Sequence, residues 1–201
     1  SQGRYEQAEP LYQESLELRK KLLGDEHPSV ATSLNNLAAL YESQGRYEQA
    51  EPLYVDALEM KKKLLGDEHP SVATSLNNLA FLYSSQGRYE DAEVLQQKSL
   101  EIHRQVLGEN HPSSAISLGN LASLYVQKGD FSEAESFLYQ ALQIFQQVVG
   151  PEHPYTKETF NRLINLIATA LQANQADTLS DHPITQDLIP KIHAALESQT
   201  E

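Results

Sequence analysis

The stretch Leu23-Gly24-Asp25-Glu26-His27-Pro28-Ser29-Val30-Ala31-Thr32-Ser33-Leu34-Asn35-Asn36-Leu37-Ala38 recurs unchanged from Leu65 to Ala80, which sets an internal period of 42 residues. Residues 1–42 and 43–84 differ at only seven positions, and weaker copies follow as Gly108-Glu109-Asn110-His111-Pro112 and Gly150-Pro151-Glu152-His153-Pro154. A period of this size marks a repeat array, in which each unit buries its apolar face against the next and function resides on a surface repeated along the stack.

Two helices fit within each period. In residues 29–43, Val30, Leu34, Leu37, Ala38, Leu40 and Tyr41 form a stripe at i, i+4, i+7 and i+8, which is helical spacing and not strand alternation. Pro28 stands where a first helical residue needs no N–H, and Gly45 breaks the chain. This is helix A. Helix B covers 47–65, with Tyr47, Ala50, Leu53, Tyr54, Ala57, Leu58, Leu64 and Leu65 on its apolar side and Gly66 at the left-handed position beyond its end. Pro52, and Pro10 one period earlier, lacks a backbone donor and is expected to bend helix B early.

Composition narrows the function class. A chain of 201 residues with 21% charged and 40% hydrophobic residues has the makings of a folded, helical protein. Its net charge of −13 argues against nucleic acid, whose phosphates need a clustered basic surface. The basic run Lys61, Lys62 and Lys63 closes a helix that opens with Glu48, Glu51 and Asp56, an order that suits the helix dipole. No run approaches the roughly 18 apolar residues of a membrane span, and the first residues lack a signal-peptide layout, so no membrane partner is expected. With no cysteine there is no disulfide, thiolate nucleophile or Cys-ligated zinc, and a cytoplasmic location is expected.

The residues Asn36-Leu37-Ala38, Tyr41, Gly45, Tyr47, Ala50, Tyr54 and Ala57 resemble the tetratricopeptide repeat (TPR) signature. The usual period is about 34 residues; here the extra length extends helix B and its loop. The Leu-Gly-x-x-His-Pro loop and the Asn-Asn-Leu-Ala helix are similar to those of kinesin light chains and kindred bacterial proteins. The resemblance covers residues 1–171 and implies an all-α fold, a right-handed α-solenoid of antiparallel helix pairs. On that template a B helix at 5–23 is followed by A/B pairs at 29–65, 71–107 and 113–149 and an A helix at 155–171. The first B helix has no A partner within this sequence, so Ala8 and Leu11 are expected to be partly bare and to offer a route to end-to-end self-stacking. Residues 172–201 leave the period. A polar, turn-rich linker there precedes Ile184, Leu188, Ile189, Ile192, Ala195 and Leu196, whose helical spacing predicts a C-terminal capping helix.

The resemblance also implies that A helices line a concave groove. Across 29–43, 71–85 and 113–127 the sole formal charge is Glu42, and a groove poor in charge but rich in amides suits a neutral peptide backbone. Asn35 and Asn77 recur at one position, joined by Asn161 with Gly119 the exception; Asn36, Asn78 and Asn120 recur at the next, with Arg162 the exception. An asparagine offers both donor and acceptor, yet it is a poor helix-interior residue. Either the ladder grips the backbone of an extended peptide, or one asparagine of each pair bonds the backbone of the neighbouring repeat. Variable positions could confer specificity: Thr32, Thr74, Ile116 and Glu158 in one row, and Ala39, Phe81, Ser123 and Asn165 in another. Phe81 would either wall a pocket or fill a gap between helices. The candidate peptide-binding residues are thus Asn35, Asn36, Asn77, Asn78, Asn120, Phe81, Ser123 and Arg162.

The resemblance does not carry a ligand motif with it. Kinesin light chains bind tryptophan-containing acidic peptides with help from basic groove residues, and the carboxylate-clamp subtype also uses Lys and Arg on A helices; none precedes Lys157 and Arg162 here. His27, His69, His111 and His153 recur at one loop position, but packed helices lie about 8–10 Å apart against Zn–N bonds of about 2 Å. A capping role before each proline, with no metal or cofactor, is therefore expected. No phosphate loop, His-Glu-x-x-His site or Gly-x-Ser-x-Gly elbow is present, and no enzymatic activity is expected. Three functions remain: a peptide- or protein-binding module, a structural spacer or self-assembly element, and a sensor of a small polar ligand.

Overall fold

The computed structural model describes residues 2–197, with side chains from Gln7 onward. The described residues form nine α-helices, one 3-10 turn and no strand. The helices are α1 (Gln2–Leu23), α2 (Pro28–Ser43), α3 (Tyr47–Leu65), α4 (Pro70–Ser85) and α5 (Tyr89–Leu107). They continue as α6 (Pro112–Lys128), α7 (Phe131–Val148), α8 (Pro154–Gln172) and α9 (Pro183–Glu197), with the 3-10 turn at Ala176–Thr178. Residues 198–201 of the expected tail segment lie outside the described residues.

The His-Pro dipeptides show why the A helices begin where they do. Proline at the first helical position has no N–H, so the first donor left over belongs to the residue after it. His27 is extended (φ −134°, ψ 142°), and its Nδ1 accepts the Ser29 N–H at 3.1 Å. His69 and His111 do the same for Ser71 and Ser113 at 3.1 Å, and His153 for Tyr155 at 3.2 Å. A fifth instance escaped the periodic reading: His182 Nδ1 accepts the Ile184 N–H at 3.2 Å and starts α9 as it would an A helix.

B helices end differently from the expectation. Gly66 has positive φ, but its ψ of 154° is extended and not left-handed helical. Its N–H still closes on the Lys62 carbonyl at 2.9 Å, and the extended ψ then carries the chain straight toward the next His-Pro. The left-handed helical cap occurs instead at Gly129 (φ 80°, ψ 12°), behind α6. Helices α1 and α3 continue through Pro10 and Pro52.

Two compact units divide the chain, one up to Val106 and one from Leu107. In the first, Val30, Leu34, Leu37 and Tyr41 of α2 pack with Tyr54 and Leu58 of α3 and Val72 and Leu76 of α4. Ala38, Ala50, Ala57 and Ala73 are fully buried; at such small residues helix backbones approach closely. In the second unit, Phe131 and Leu138 of α7 pack with Leu163, Leu166 and Ile167 of α8. Burying one such side chain contributes about 1.5–3 kcal/mol before conformational entropy is charged.

One glutamate register is used twice in one way and then in another. Glu9 pairs with Arg46 at 2.6 Å and Glu51 with Arg88 at 3.0 Å, the two guanidiniums lying over Tyr41 and Tyr83. Glu135, two periods beyond Glu51, is 1% exposed and holds the tail instead. It accepts the Ser180 N–H at 2.7 Å and the Thr185 hydroxyl. Beside it the Tyr139 hydroxyl meets Thr185 Oγ1 at 2.5 Å, and the Tyr139 ring stacks on His182 at 3.8 Å. Ile184, Leu188, Ile189 and Ile192 of α9 then cover the apolar face of the second unit, while Ala195 stays exposed.

Candidate peptide-binding face

In the first unit, α2 buries its Val30–Leu34–Leu37–Tyr41 side and leaves Thr32, Asn36 and Ala39 exposed; on α4, Thr74 and Phe81 are exposed. The Phe81 ring is 50% exposed, so it stands in solvent and does not fill a gap. Thr32 and Thr74 donate their hydroxyls back to Pro28 O (3.0 Å) and Pro70 O (3.2 Å) within their own helices.

The asparagines divide between seam and surface. Asn78 Nδ2 donates to Asn35 Oδ1 at 3.0 Å, joining α4 to α2 by an amide–amide bond. The neighbouring-repeat partner is therefore a side chain and not the backbone anticipated from the sequence. Asn78 keeps its own Oδ1 and one N–H for other use, whereas Asn36 is exposed and its amide bonds to none of the described residues. Asn77 is half-buried with an Oδ1 that accepts no hydrogen bond. The one charge on these faces, Glu42, accepts the Tyr54 hydroxyl at 2.7 Å, and burial pushes its carboxyl above the usual range.

In the second unit the same positions carry Gly119 and Arg162. Arg162 Nη2 donates to the Gly119 carbonyl and, at 2.5 Å, to Ser123 Oγ. A Cβ at position 119 would lie 2.7 Å from Arg162 Nη1, so the glycine makes room for the guanidinium. Burial lowers the Arg162 pKa while Glu158, one turn earlier, raises it; an arginine remains cationic throughout. The two exceptions to the asparagine ladder are thus one feature. The signal lay in the spacing, since 119 and 162 are 43 residues apart, as 35 and 78 are.

Arg162 also separates two cavities in the crease between α6 and α8. One, of about 300 Å³, is lined by Ala122, Ser123, Val126, Leu138 and Leu166. The other, of about 220 Å³, is lined by Ile116, Asn120, Phe145, Tyr155 and Glu158. Of the candidate residues, Asn120, Ser123 and Arg162 therefore meet along this crease, while Asn35, Asn36, Asn77, Asn78 and Phe81 belong to the first unit. Among the described residues no three His, Cys, Asp or Glu side chains gather as a metal site, and no helix is long and apolar enough to cross a membrane.

The sequence profile of the tetratricopeptide repeat family matches residues 1–63, 43–102 and 71–147. The chain belongs to the tetratricopeptide repeat family. Its TPR helix pairs resemble the crystal structure of BtubC (BKLC) from P. vanneervenii, with a TM-score of 0.72 and 29% identity over 98% of this chain and 76% of that one. A Podospora anserina kinesin-light-chain protein with nearly identical TPR-like repeats matches with a TM-score of 0.72 and 26% identity, over 100% and 91% of the two chains. RapI, at 18% identity and a TM-score of 0.65, shares the fold. No match was found among characterised protein sequences. The fold class is the all-α TPR solenoid of the kinesin-light-chain-like kind, and none of these likenesses is to a catalytic family.

Proposed function

We propose that this TPR protein binds an extended, uncharged peptide segment of a protein partner on its A-helix faces, in a cytoplasmic setting. The observation that carries the reading is Asn36, an exposed amide with donor and acceptor both unspent, flanked by exposed Thr32 and Ala39, while the one charge on its helix, Glu42, is engaged by the Tyr54 hydroxyl. An extended peptide presents unpaired N–H and C=O groups that such an amide can bond. Phe81, half exposed on α4, supplies an apolar contact of the kind that anchors interfaces. A net charge of −13 keeps nucleic acid a poor partner.

Random peptide display against the protein and an Asn36→Ala variant tests this, with circular dichroism to verify equal helicity. A motif enriched by the wild type and lost by the variant supports the reading. Enrichment that is absent, or identical in the two proteins, overturns it.

A second reading has its own observation. On α1, Leu11, Leu18 and Leu22 are 66%, 53% and 70% exposed, an apolar face suited to self-association. Sedimentation over a range of concentrations distinguishes it: a Leu11→Glu/Leu18→Glu variant is expected to remain monomeric where the wild type associates, and a wild type monomeric throughout removes this reading.

A further inference from the structure

The α6–α8 crease carries information about ligand shape that the asparagine ladder does not. Ile116 and Ser123 on α6, and Glu158 and Asn165 on α8, line the smaller and larger cavities respectively, seven residues apart on each helix. At about 1.5 Å of rise per residue the cavities lie about 10 Å apart, along the helix direction. A β-strand presents same-face side chains at about 6.6 Å or 13 Å and misses this spacing. A polyproline-II segment turns once in three residues with a rise of about 3.1 Å each, so its i and i+3 side chains share a face about 9 Å apart.

A ligand α-helix could offer i and i+7 at a similar distance, but its carbonyls are spent internally. Between the cavities stands Arg162, whose Nη2 makes both of its bonds to the protein, leaving Nη1 and Nε without an acceptor among the described residues. A half-buried cation served only by neutral acceptors favours a further oxygen partner. Polyproline-II carbonyls are free of internal bonds and available to it.

Charge decides what the side chains are. Glu158 and Arg162 both line the smaller cavity and offset one another; Arg162 also borders the larger, where Ser123 accepts from its Nη2, and the rest of that wall is uncharged, with Ala122, Val126, Leu138 and Leu166 beside the amides of Gln127 and Asn165. An acidic segment would also approach a chain of net charge −13. We propose that the α6–α8 crease binds a polyproline-II segment of a partner protein, with aliphatic side chains at i and i+3 seated in the two cavities and a backbone carbonyl bonded by Arg162. This rests on the peptide-binding reading above and gives the ligand a conformation and a spacing.

The test titrates the full chain with fluorescent peptides in a Gly/Ser context: a Leu-Pro-Pro-Leu core, a Leu-Ser-Leu core, and cores ending Leu-Pro-Pro-Glu or Leu-Pro-Pro-Lys. The i, i+3 aliphatic peptide is expected to bind at least about tenfold tighter than the others and to shift methyl resonances of Ile116, Val126 and Leu166. Arg162→Gln is expected to weaken it about tenfold. The Gly119→Asn/Arg162→Asn pair, which rebuilds the α2–α4 chemistry, should weaken it similarly. Val126→Trp fills the larger cavity while leaving the Arg162 side chain unsubstituted, and is expected to abolish binding at unchanged helicity, so the proposal does not hang on one variant's folding.

Equal binding of the Leu-Ser-Leu peptide, an unaffected Arg162→Gln or Val126→Trp protein, or shifts confined to Phe81 and its neighbours would overturn the proposal. If display yields Asn36-dependent peptides while Leu-Pro-Pro-Leu fails to bind, this inference falls and the peptide-binding reading stands. If neither binds, both fall.

Discussion

At the α2–α4 seam Asn78 donates to Asn35 across 3.0 Å; at the α6–α8 seam the same two positions hold Arg162 and Gly119, with the guanidinium reaching the backbone carbonyl and Ser123. The first seam is neutral and spends one asparagine of its row, leaving Asn36 to solvent. The second exchanges a pair of medium side chains for one large and one absent, and places a cation between two cavities. The glutamate register diverges in the same way, as Glu51 forms a half-exposed pair with Arg88 while Glu135 is buried under the tail. Near-identical repeats preserve one solution, and the later repeats re-use its positions for different bonds.

The largest expected effect tests the glutamate half of that comparison. Glu135→Ala leaves the Ser180 N–H and the Thr185 hydroxyl without their acceptor, and should cost about 2–4 kcal/mol in urea unfolding, with early proteolysis after Gln172. Glu51→Ala removes a pair whose side chains are 32% and 40% exposed and should cost less than about 1 kcal/mol. Equal costs would show that burial does not separate the two sites.

The seams come next. Arg162→Ala loses two charge-assisted bonds and a half-buried stem, and is expected to cost about 1–2 kcal/mol, partly offset by the relieved desolvation of the cation. Asn78→Ala loses one neutral amide bond and should cost about 1 kcal/mol or less. Thermal unfolding of the two variants side by side checks the order, and a costlier Asn78→Ala would break it.

The smallest effect compares α2 with α4, where the position of Glu42 is taken by Ser84 one period on. Because burial raises the folded-state pKa of Glu42, its favourable contribution is present when it is protonated, below the ordinary carboxylate range, and is lost as pH rises through the raised value. Glu42→Gln keeps an acceptor for Tyr54 without the charge. It should flatten that pH dependence and be slightly more stable than the wild type at neutral pH; unfolding curves from acid to neutral pH report whether it does.

Much of the fold was legible because its causes are short-range. The 3.6-residue spacing of Val30, Leu34, Leu37 and Tyr41, the glycines after each B helix and the His-Pro starts act over one or two turns, and the TPR signature follows from them. The tail was read as apolar spacing alone, although His182-Pro183 repeats the A-helix start and Glu135 sits in the register of Glu9 and Glu51. That signal was missed because the 29 residues from His153 to His182 do not fit the 42-residue period.

For the candidate site, the sequence showed the rows of asparagines and their two exceptions but not which members face solvent. Asn35 and Asn36 are adjacent and chemically identical, and only their angle on α2 relative to α4 makes one a seam residue and the other a free amide. The sequence by itself determined the period, the helix pairs and the single charge, Glu42, across residues 29–43, 71–85 and 113–127, since each can be read from residue identities along the chain. Only the tertiary structure decided that Gly119 exists to admit Arg162, that Glu135 is buried and that two cavities flank the guanidinium. Those outcomes depend on the packing of side chains about forty residues apart, and residue spacing along one helix carries no record of such approach.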